Sequence, residues 1–356
     1  MKRSILVICL VMVLSLPLMA DLKIGFIYNG PVGDAGWNYA HDQGRKHVEE
    51  VFGDEVETTY IEGVPESMEA LKPIESLVKR GHDLIVTTSF GYMDPTVIAA
   101  QQNPDIWFAH CSGYKQAENM SSYFGRMYQP RFLSGLVAGM MTESNKIGFV
   151  GAHPFPEVIR GINAFALGVH MVNREAKVHV VWSNTWYDPA TEKEAALSLL
   201  DLGCDVITQH QNSPATQQAA QERGAYSIAY NESMEKFAPE AYLTAPVWRW
   251  GLYYEDIVRK IMNGEYESEA YWGGMKDGIV DLAPMTDLVP RKVQQLVKVF
   301  EREIVAGNFD PFQGPVYDQK GTLRIEKGEQ LTDGELLSIN WFVSNVIGKI
   351  SEGSGE

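Results

Sequence analysis

The chain has 356 residues, 45% of them hydrophobic, and a formal net charge of -16. This length exceeds the size at which a single hydrophobic core usually stops growing, so it predicts two domains. An acidic chain of this kind repels phosphate backbones, which argues against a nucleic-acid partner.

The first twenty residues have the composition of a cleavable secretory signal. Lys2 and Arg3 form a positive start, residues 4–17 are almost wholly apolar, and Ala20 is a small residue before the polar sequence begins. The apolar run is shorter than the ~20 residues that a membrane-spanning helix needs, although a retained anchor is the alternative. No cysteine stands at the cleavage point, which excludes lipid attachment there. We therefore predict a free periplasmic protein whose mature chain has 28 basic and 46 acidic residues, a net charge of -18.

From residue 22 onward the sequence alternates between strand and helix patterns. The first half predicts strands over 22–28, 56–61, 83–88 and 106–111 and helices over 39–52, 66–80 and from 94. The alternation restarts near residue 145, with strands over 146–151, 178–182, 205–209 and 225–230 and helices over 157–173, 191–202 and 214–223. A helix over 255–262 and a glycine-rich strand region over 272–282 then return to an earlier sheet. Such alternation is typical of α/β proteins with parallel, doubly wound sheets.

The three cysteines do not suggest a disulfide or a metal site. Cys9 lies in the predicted signal, whereas Cys111 and Cys204 close or follow apolar segments in different halves of the chain. We predict that the latter two are buried as small hydrophobic residues.

Ligands of parallel sheets bind beyond the carboxyl ends of the strands, so the residues that follow each predicted strand are the informative ones. These loops combine aromatic side chains with amides and carboxylates. The candidate ligand-binding residues are Asp34, Trp37, Asn38, Phe90, Trp186, Asp188, Gln211, Asn212, Asn231 and Trp248. Aromatic faces can sandwich a planar ring, and Asn, Gln and Asp can read the donors and acceptors at its edge. A sugar also binds to aromatic platforms, so both ligand classes stay open.

Several candidates have a purely structural alternative. Asp34 and Asn38 can cap the helix that follows them, and Asp188 can begin the next helix at Pro189. Phe90 and Trp37 can be core residues.

An enzyme and a transcriptional regulator are the competing classes. The sequence has no Gly-x-Ser-x-Gly motif and no evident pair of carboxylates. His41 and His47 are six residues apart and do not share a helix face, while His153 and His210 in predicted cleft loops stay open as ligand-facing residues. A regulator of this fold would carry a DNA-binding module where the predicted signal stands. We therefore predict a binding protein without enzymatic activity.

Ordered motifs in both halves make the chain similar to a known family. They are Asp34-Ala35-Gly36-Trp37-Asn38, Gly148-Phe149-Val150-Gly151, Trp186-Tyr187-Asp188, Gly203-Cys204-Asp205-Val206 and Lys276-Asp277-Gly278. With these motifs, residues 23–348 resemble the basic membrane protein family of ABC-transporter substrate-binding proteins, whose best-known members are purine nucleoside receptors.

The resemblance implies a type I periplasmic-binding fold, in which two Rossmann-like lobes are joined by three crossovers and close on the ligand about a hinge. We predict an N-terminal lobe from residues 21–125 and 247–286 and a C-terminal lobe from residues 126–246 and 287–350. By position, Trp37 and Trp186 are the aromatic pair that sandwiches the ligand, and Asp277 joins the candidate residues. The implied partners are a small molecule, a permease pair and a cytoplasmic ATPase. We predict a monomer with no cofactor and no metal.

Two residues depart from the nucleoside-binding pattern. Such members resemble one another in an acidic residue that holds the ribose hydroxyls, where this chain has Asn231, and in a lysine, where this chain has Trp248. Both changes remove polar contacts to ribose, and the indole fills their volume. The prediction is therefore a free purine base (adenine, guanine, hypoxanthine) or a similar flat heterocycle. A nucleoside, a sugar, an amino acid or a signalling molecule is the alternative.

Overall fold

The computed structural model describes residues 22–33 and 35–350. The predicted signal at residues 1–20 and the candidate Asp34 lie outside these residues. The strands are β1 (Leu22–Ile27), β2 (Val56–Ile61), β3 (Leu84–Thr87), β4 (Trp107–Cys111), β5 (Met120–Gly125), β6 (Lys146–Gly151), β7 (Lys177–Trp182), β8 (Val206–Gln209), β9 (Tyr226–Ile228), β10 (Tyr242–Thr244), β11 (Pro246–Trp248), β12 (Ala270–Gly273), β13 (Val280–Leu282), β14 (Val316–Tyr317), β15 (Leu323–Ile325) and β16 (Val346–Ile347). The helices are α1 (Trp37–Phe52), α2 (Leu71–Lys79), α3 (Met93–Gln102), α4 (Tyr128–Met141), α5 (Pro156–Val172), α6 (Pro189–Asp201), α7 (Ala215–Glu222), α8 (Trp250–Met262), α9 (Arg291–Val305) and α10 (Asp333–Leu337).

Two six-stranded sheets organise these elements. The first has the order β12-β5-β4-β3-β1-β2 and the second the order β10-β9-β8-β6-β7-β16. All pairings within both sheets are parallel. Parallel strands are covered on both faces, which is why β3 and β8 are mostly apolar and are buried along their whole length. The predicted α/β class with doubly wound parallel sheets is confirmed, and we name the parts built on the two sheets the first lobe and the second lobe.

The chain passes between the two sheets three times. It crosses after β5, after β10 and after β12, since β12 returns to the first sheet and β16 to the second. Two of these passages run side by side as an antiparallel pair, β11 with β13. The exact lobe boundaries given above stay a prediction.

The region over 272–282 differs from its predicted form. It contains the end of β12 and the whole of β13, which belong to different sheets. A short 3-10 turn at Met275–Asp277 separates the two strands. The helix predicted over 255–262 begins earlier, at Trp250, because Trp250, Tyr253 and Tyr254 pack into the core.

Cys111 and Cys204 are both free and buried, which confirms that they act as small core residues. Burial raises the pKa of both thiols, so they stay protonated. Within residues 22–33 and 35–350, none of the helices combines the length and apolar character required to span a bilayer.

Candidate functional site

A cavity of about 590 Å³ lies where the loops of both sheets meet. Its walls include residues that follow β1, β3 and β4 in the first lobe and β7, β8 and β9 in the second. This is the carboxyl edge of each parallel sheet, the position at which open α/β sheets bind ligands. Five predicted residues line it: Trp37, Phe90, Trp186, Asn212 and Asn231.

Trp37 stands on the first-lobe wall at the first residue of α1 and is half-buried. Its Nε1 donates to the Thr88 carbonyl oxygen over 2.8 Å. The ring meets Trp248 and Trp250 edge to face, with centroids 5.7 and 5.6 Å away. Because the hydrogen bond and both edge contacts constrain the indole, its orientation is set by the protein itself.

Trp186 stands on the second-lobe wall, in the loop after β7. It is half-buried, and its ring centroid lies 6.0 Å from that of Phe155 at an interplanar angle of 29°. His153 flanks it at 5.0 Å. The Trp186 carbonyl oxygen accepts the Asn212 backbone N–H over 3.2 Å. One tryptophan from each lobe therefore lines the same cavity, which an aromatic sandwich requires.

Asn231 is fully buried at the end of the second-lobe wall, and both ends of its amide have partners. Its Nδ2 donates to Asn212 Oδ1 over 2.9 Å, and its Oδ1 accepts from Trp248 Nε1 over 3.0 Å. Its φ is +70°, a left-handed conformation that asparagine tolerates better than most residues. Trp248 stacks on Trp250 at 4.4 Å and 11° and stands behind the cavity lining.

The remaining described candidates also lie outside the lining, because their side chains serve the fold. The Asp188 carboxylate caps α6 by accepting the N–H groups of Ala190 and Thr191, and these bonds lower its pKa.

The other three candidates contact neighbouring parts of the fold. Gln211 Nε2 donates to Ser183 Oγ over 2.6 Å. Asp277 accepts the Gly274 N–H within the turn after β12. Asn38 is buried on α1, next to Gly30.

The two lobes touch through backbone atoms next to the tryptophans. A Cβ added to Gly36 would lie 2.4 Å from the Asn212 carbonyl oxygen and 2.6 Å from Asn212 Cα. Gly36 directly precedes Trp37, and Asn212 is hydrogen-bonded to Trp186. The loop that carries Trp37 therefore contacts the loop after β8, which is itself bonded to Trp186, and only a residue without a side chain fits at position 36.

The second-lobe wall also carries a group of polar residues, of which the sequence analysis considered only His210. Glu157 and Arg160 at the start of α5 line the cavity together with His210 and Tyr230. Glu157 Oε1 lies 3.4 Å from His210 Nε2, and burial lowers the pKa of the His210 ring and of the Arg160 guanidinium. Only His210 carried a signal, namely its place directly after a predicted strand.

The opposite wall carries a smaller polar group. Ser89 Oγ donates a short hydrogen bond to Glu66, and Asn29 Nδ2 donates to Ser89 Oγ over 3.4 Å. Phe90 is 54% exposed, and its ring centroid lies 6.4 Å from that of Tyr114. Phe90 is therefore a wall residue at the cleft rather than part of the core beneath it.

Known proteins agree with this architecture. Residues 21–308 match the family described as PnrA-like ABC transporter substrate-binding proteins. A purine-binding protein of Brucella abortus is 44% identical over 331 residues, which cover 93% of this chain and 94% of that protein. A putative ABC transporter glucose-binding protein of Haloferax volcanii is 42% identical over 297 residues, 83% of this chain and 75% of that protein.

A solved structure supports the same fold. The ABC transporter solute-binding protein from Conexibacter woesei superposes with a TM-score of 0.70 at 21% identity, covering 81% of this chain and 98% of that one. The chain belongs to the PnrA-like family of ABC transporter substrate-binding proteins, non-enzymatic components that bind a small molecule and act with permease and ATPase partners.

Proposed function

We propose that this protein captures a free purine base in the periplasm, as a monomer, and delivers it to its permease. The observation that carries the proposal is the placement of Trp37 and Trp186, which line one cavity from opposite lobes. Stacking of a base on an aromatic side chain is worth roughly 1–3 kcal/mol per base, so two such contacts account for a large part of a useful affinity. The Brucella relative, named as a purine-binding protein, supports the same ligand class.

Asn231 favours a base over a nucleoside. A ribose ring needs acceptors or donors that are free to bind its hydroxyl groups. The amide of Asn231 already bonds Asn212 at one end and Trp248 at the other. Because Trp248 also fills the volume behind Asn231, this end of the cavity offers little to a sugar.

A sugar is the second candidate. The Haloferax relative, named as a putative glucose-binding protein, is almost as similar to this chain as the Brucella protein. Aromatic side chains also pack against the apolar faces of sugar rings. The two candidates need different hydrogen-bonding groups at the edge of the cavity. A sugar carries hydroxyl groups around its whole ring, whereas a purine base carries none.

Closure of the lobes completes the site. A ligand that contacts both walls stabilises the closed arrangement by its differential affinity for that state. Gly36 and Asn212 meet at this closure, next to both tryptophans. The closed surface is then the form that the permease recognises.

Isothermal titration calorimetry on unfolded and refolded protein, freed of any carried-over ligand, tests the proposal. We expect adenine, guanine or hypoxanthine to bind more tightly than adenosine, inosine or glucose. Tighter binding of a nucleoside would contradict the interpretation of Asn231 and Trp248. Tight binding of glucose with no response to purines would replace the purine by a sugar.

A further inference from the structure

The second-lobe wall of the cavity buries more positive than negative charge. Arg131 on α4 is fully buried, and Arg160 on α5 is 3% exposed. The carboxylate that faces them is Glu157, which is half-buried and pairs with His210. Burial lowers the pKa of His210 below its usual range, so the ring is neutral near pH 7. Glu66 stands across the cleft but is exposed, so solvent screens its charge.

The same wall contains buried polar atoms whose partners are incomplete. Arg131 Nη1 donates to the Gln209 carbonyl oxygen over 2.8 Å, while its Nε and Nη2 have no hydrogen-bond partner. Its guanidinium lies 3.8 Å from the centroid of the Tyr230 ring. His210 Nδ1 also lacks a partner, and the Tyr230 hydroxyl makes no well-formed hydrogen bond, although the Arg131 guanidinium and the Trp248 indole lie beside it. Both residues line the cavity while being at least nine-tenths buried. Buried polar groups in native proteins normally have partners, so the incompletely bonded atoms that belong to cavity-lining residues are available to a ligand.

Two features of this wall determine which hydrogen-bonding groups a ligand needs on the side that faces it. The positive charge of the two arginines favours an electron-rich atom, and the Tyr230 hydroxyl can donate to it. The Glu157 carboxylate nearby accepts hydrogen bonds only. A carbonyl oxygen with an N–H group beside it matches both features at once.

We propose that this wall selects purines that carry a carbonyl oxygen, the oxopurines, over aminopurines such as adenine. The proposal rests on purine binding as the function of the cavity. Tyr230 and Arg160 donate to the carbonyl oxygen, and Glu157 accepts the adjacent ring N–H. Arg131 is a positioning residue behind Tyr230, where its charge strengthens the attraction for the oxygen. Adenine has an amino group in place of the carbonyl and a bare ring nitrogen in place of the N–H, so it presents the opposite pattern to the same groups.

Hypoxanthine and adenine are the matched probes, because they differ only at this edge of the ring. Calorimetry on the wild-type protein should give hypoxanthine an affinity about tenfold or more above that of adenine, the equivalent of one good hydrogen bond. Tyr230→Phe removes the hydroxyl that is proposed to donate to the carbonyl oxygen, and it should lower that ratio by about tenfold through weaker hypoxanthine binding alone. Tyr242→Phe is the control, since Tyr242 is a buried tyrosine of the same lobe outside the cavity lining.

The outcomes separate this proposal from the purine proposal itself. Equal or tighter binding of adenine by the wild type overturns oxopurine selection, and so does a ratio that Tyr230→Phe leaves unchanged. In either case purine binding stands. If neither base binds and another solute does, the purine function fails first. The ratio of the hypoxanthine and adenine affinities of the wild-type protein requires no variant. It therefore tests oxopurine selection even if Tyr230→Phe does not fold.

Discussion

Trp248 Nε1 donates to Asn231 Oδ1 over 3.0 Å, which links the end of β11 to the loop after β9. The two residues that depart from the nucleoside-binding pattern are thus partners of each other. A change at either one leaves a buried polar atom of the other without its bond. The departures therefore act as a unit.

We predict that Trp248→Phe destabilises the protein by about 1–3 kcal/mol, because it leaves the buried Asn231 Oδ1 without its donor. Urea unfolding followed by circular dichroism measures the loss. Trp182→Phe is the matched control, since the Trp182 Nε1 bond to the Lys349 carbonyl oxygen lies at an exposed site. An equal loss in the free energy of unfolding of both variants would show that the bond to Asn231 contributes no more to stability than the exposed bond of Trp182.

Trp37→Ala and Trp186→Ala should each weaken ligand binding by roughly 1–3 kcal/mol if each indole stacks on the ligand. Calorimetry with the ligand that binds wild-type protein most tightly measures the change. Trp107→Ala removes an indole that packs against Tyr266 outside the cavity lining, and it should leave the affinity unchanged. Unchanged affinity in both cavity variants would rule out the sandwich.

Gly36→Ala should hold the lobes apart, because its Cβ would overlap the Asn212 backbone. We expect an affinity loss of about 1–3 kcal/mol, the usual cost of overpacking a close contact. Small-angle X-ray scattering should show that ligand no longer compacts the variant. Gly33→Ala is the control in the same loop, since nothing lies within 4 Å of a Cβ there. Normal ligand-induced compaction of Gly36→Ala would contradict the assigned contact.

Acid should destabilise the first lobe through His110. Burial lowers the pKa of this residue from its ordinary value of 6.5 to about 3, so the stability that it contributes is present above pH 6.5 and is lost as the pH falls toward 3. Between pH 6.5 and pH 4 the loss is about 3 kcal/mol. Urea unfolding at several pH values should show a shallower decline for His110→Gln. Parallel curves for the two proteins would mean that His110 does not titrate in this way.

The sequence predicts most strands and helices of both halves but misses β5 and α4, which lie one after the other between the two halves of the chain. Strands such as β1, β2 and β6 are recognisable because they are short and rich in apolar or β-branched residues between turn signals. α4 escapes notice because it is buried on almost every side, so its apolar residues have no helical period, and Pro130 and Gly135 interrupt it. β5 is missed with it, since Ser121 and Ser122 dilute its apolar pattern.

The candidate site is predictable where it depends on loops that follow strands. Trp37, Trp186 and Asn231 line the cavity because the carboxyl ends of parallel strands meet there. Arg131 and Arg160 could not be found, because an arginine inside a helix has the same local pattern whether it faces solvent or a cavity. Only the packing of α4 and α5 against the second sheet decides that.

The contact of Gly36 with Asn212 involves main-chain atoms on both sides. At this point the nearest approach of the two lobes does not depend on which side chain stands at position 212. Substitutions of the Asn212 side chain can therefore change the lining of the cavity while this main-chain contact stays the same. The spacing between the two loops and the choice of ligand are then set by different atoms, the first by the main chain and the second by the side chains around it.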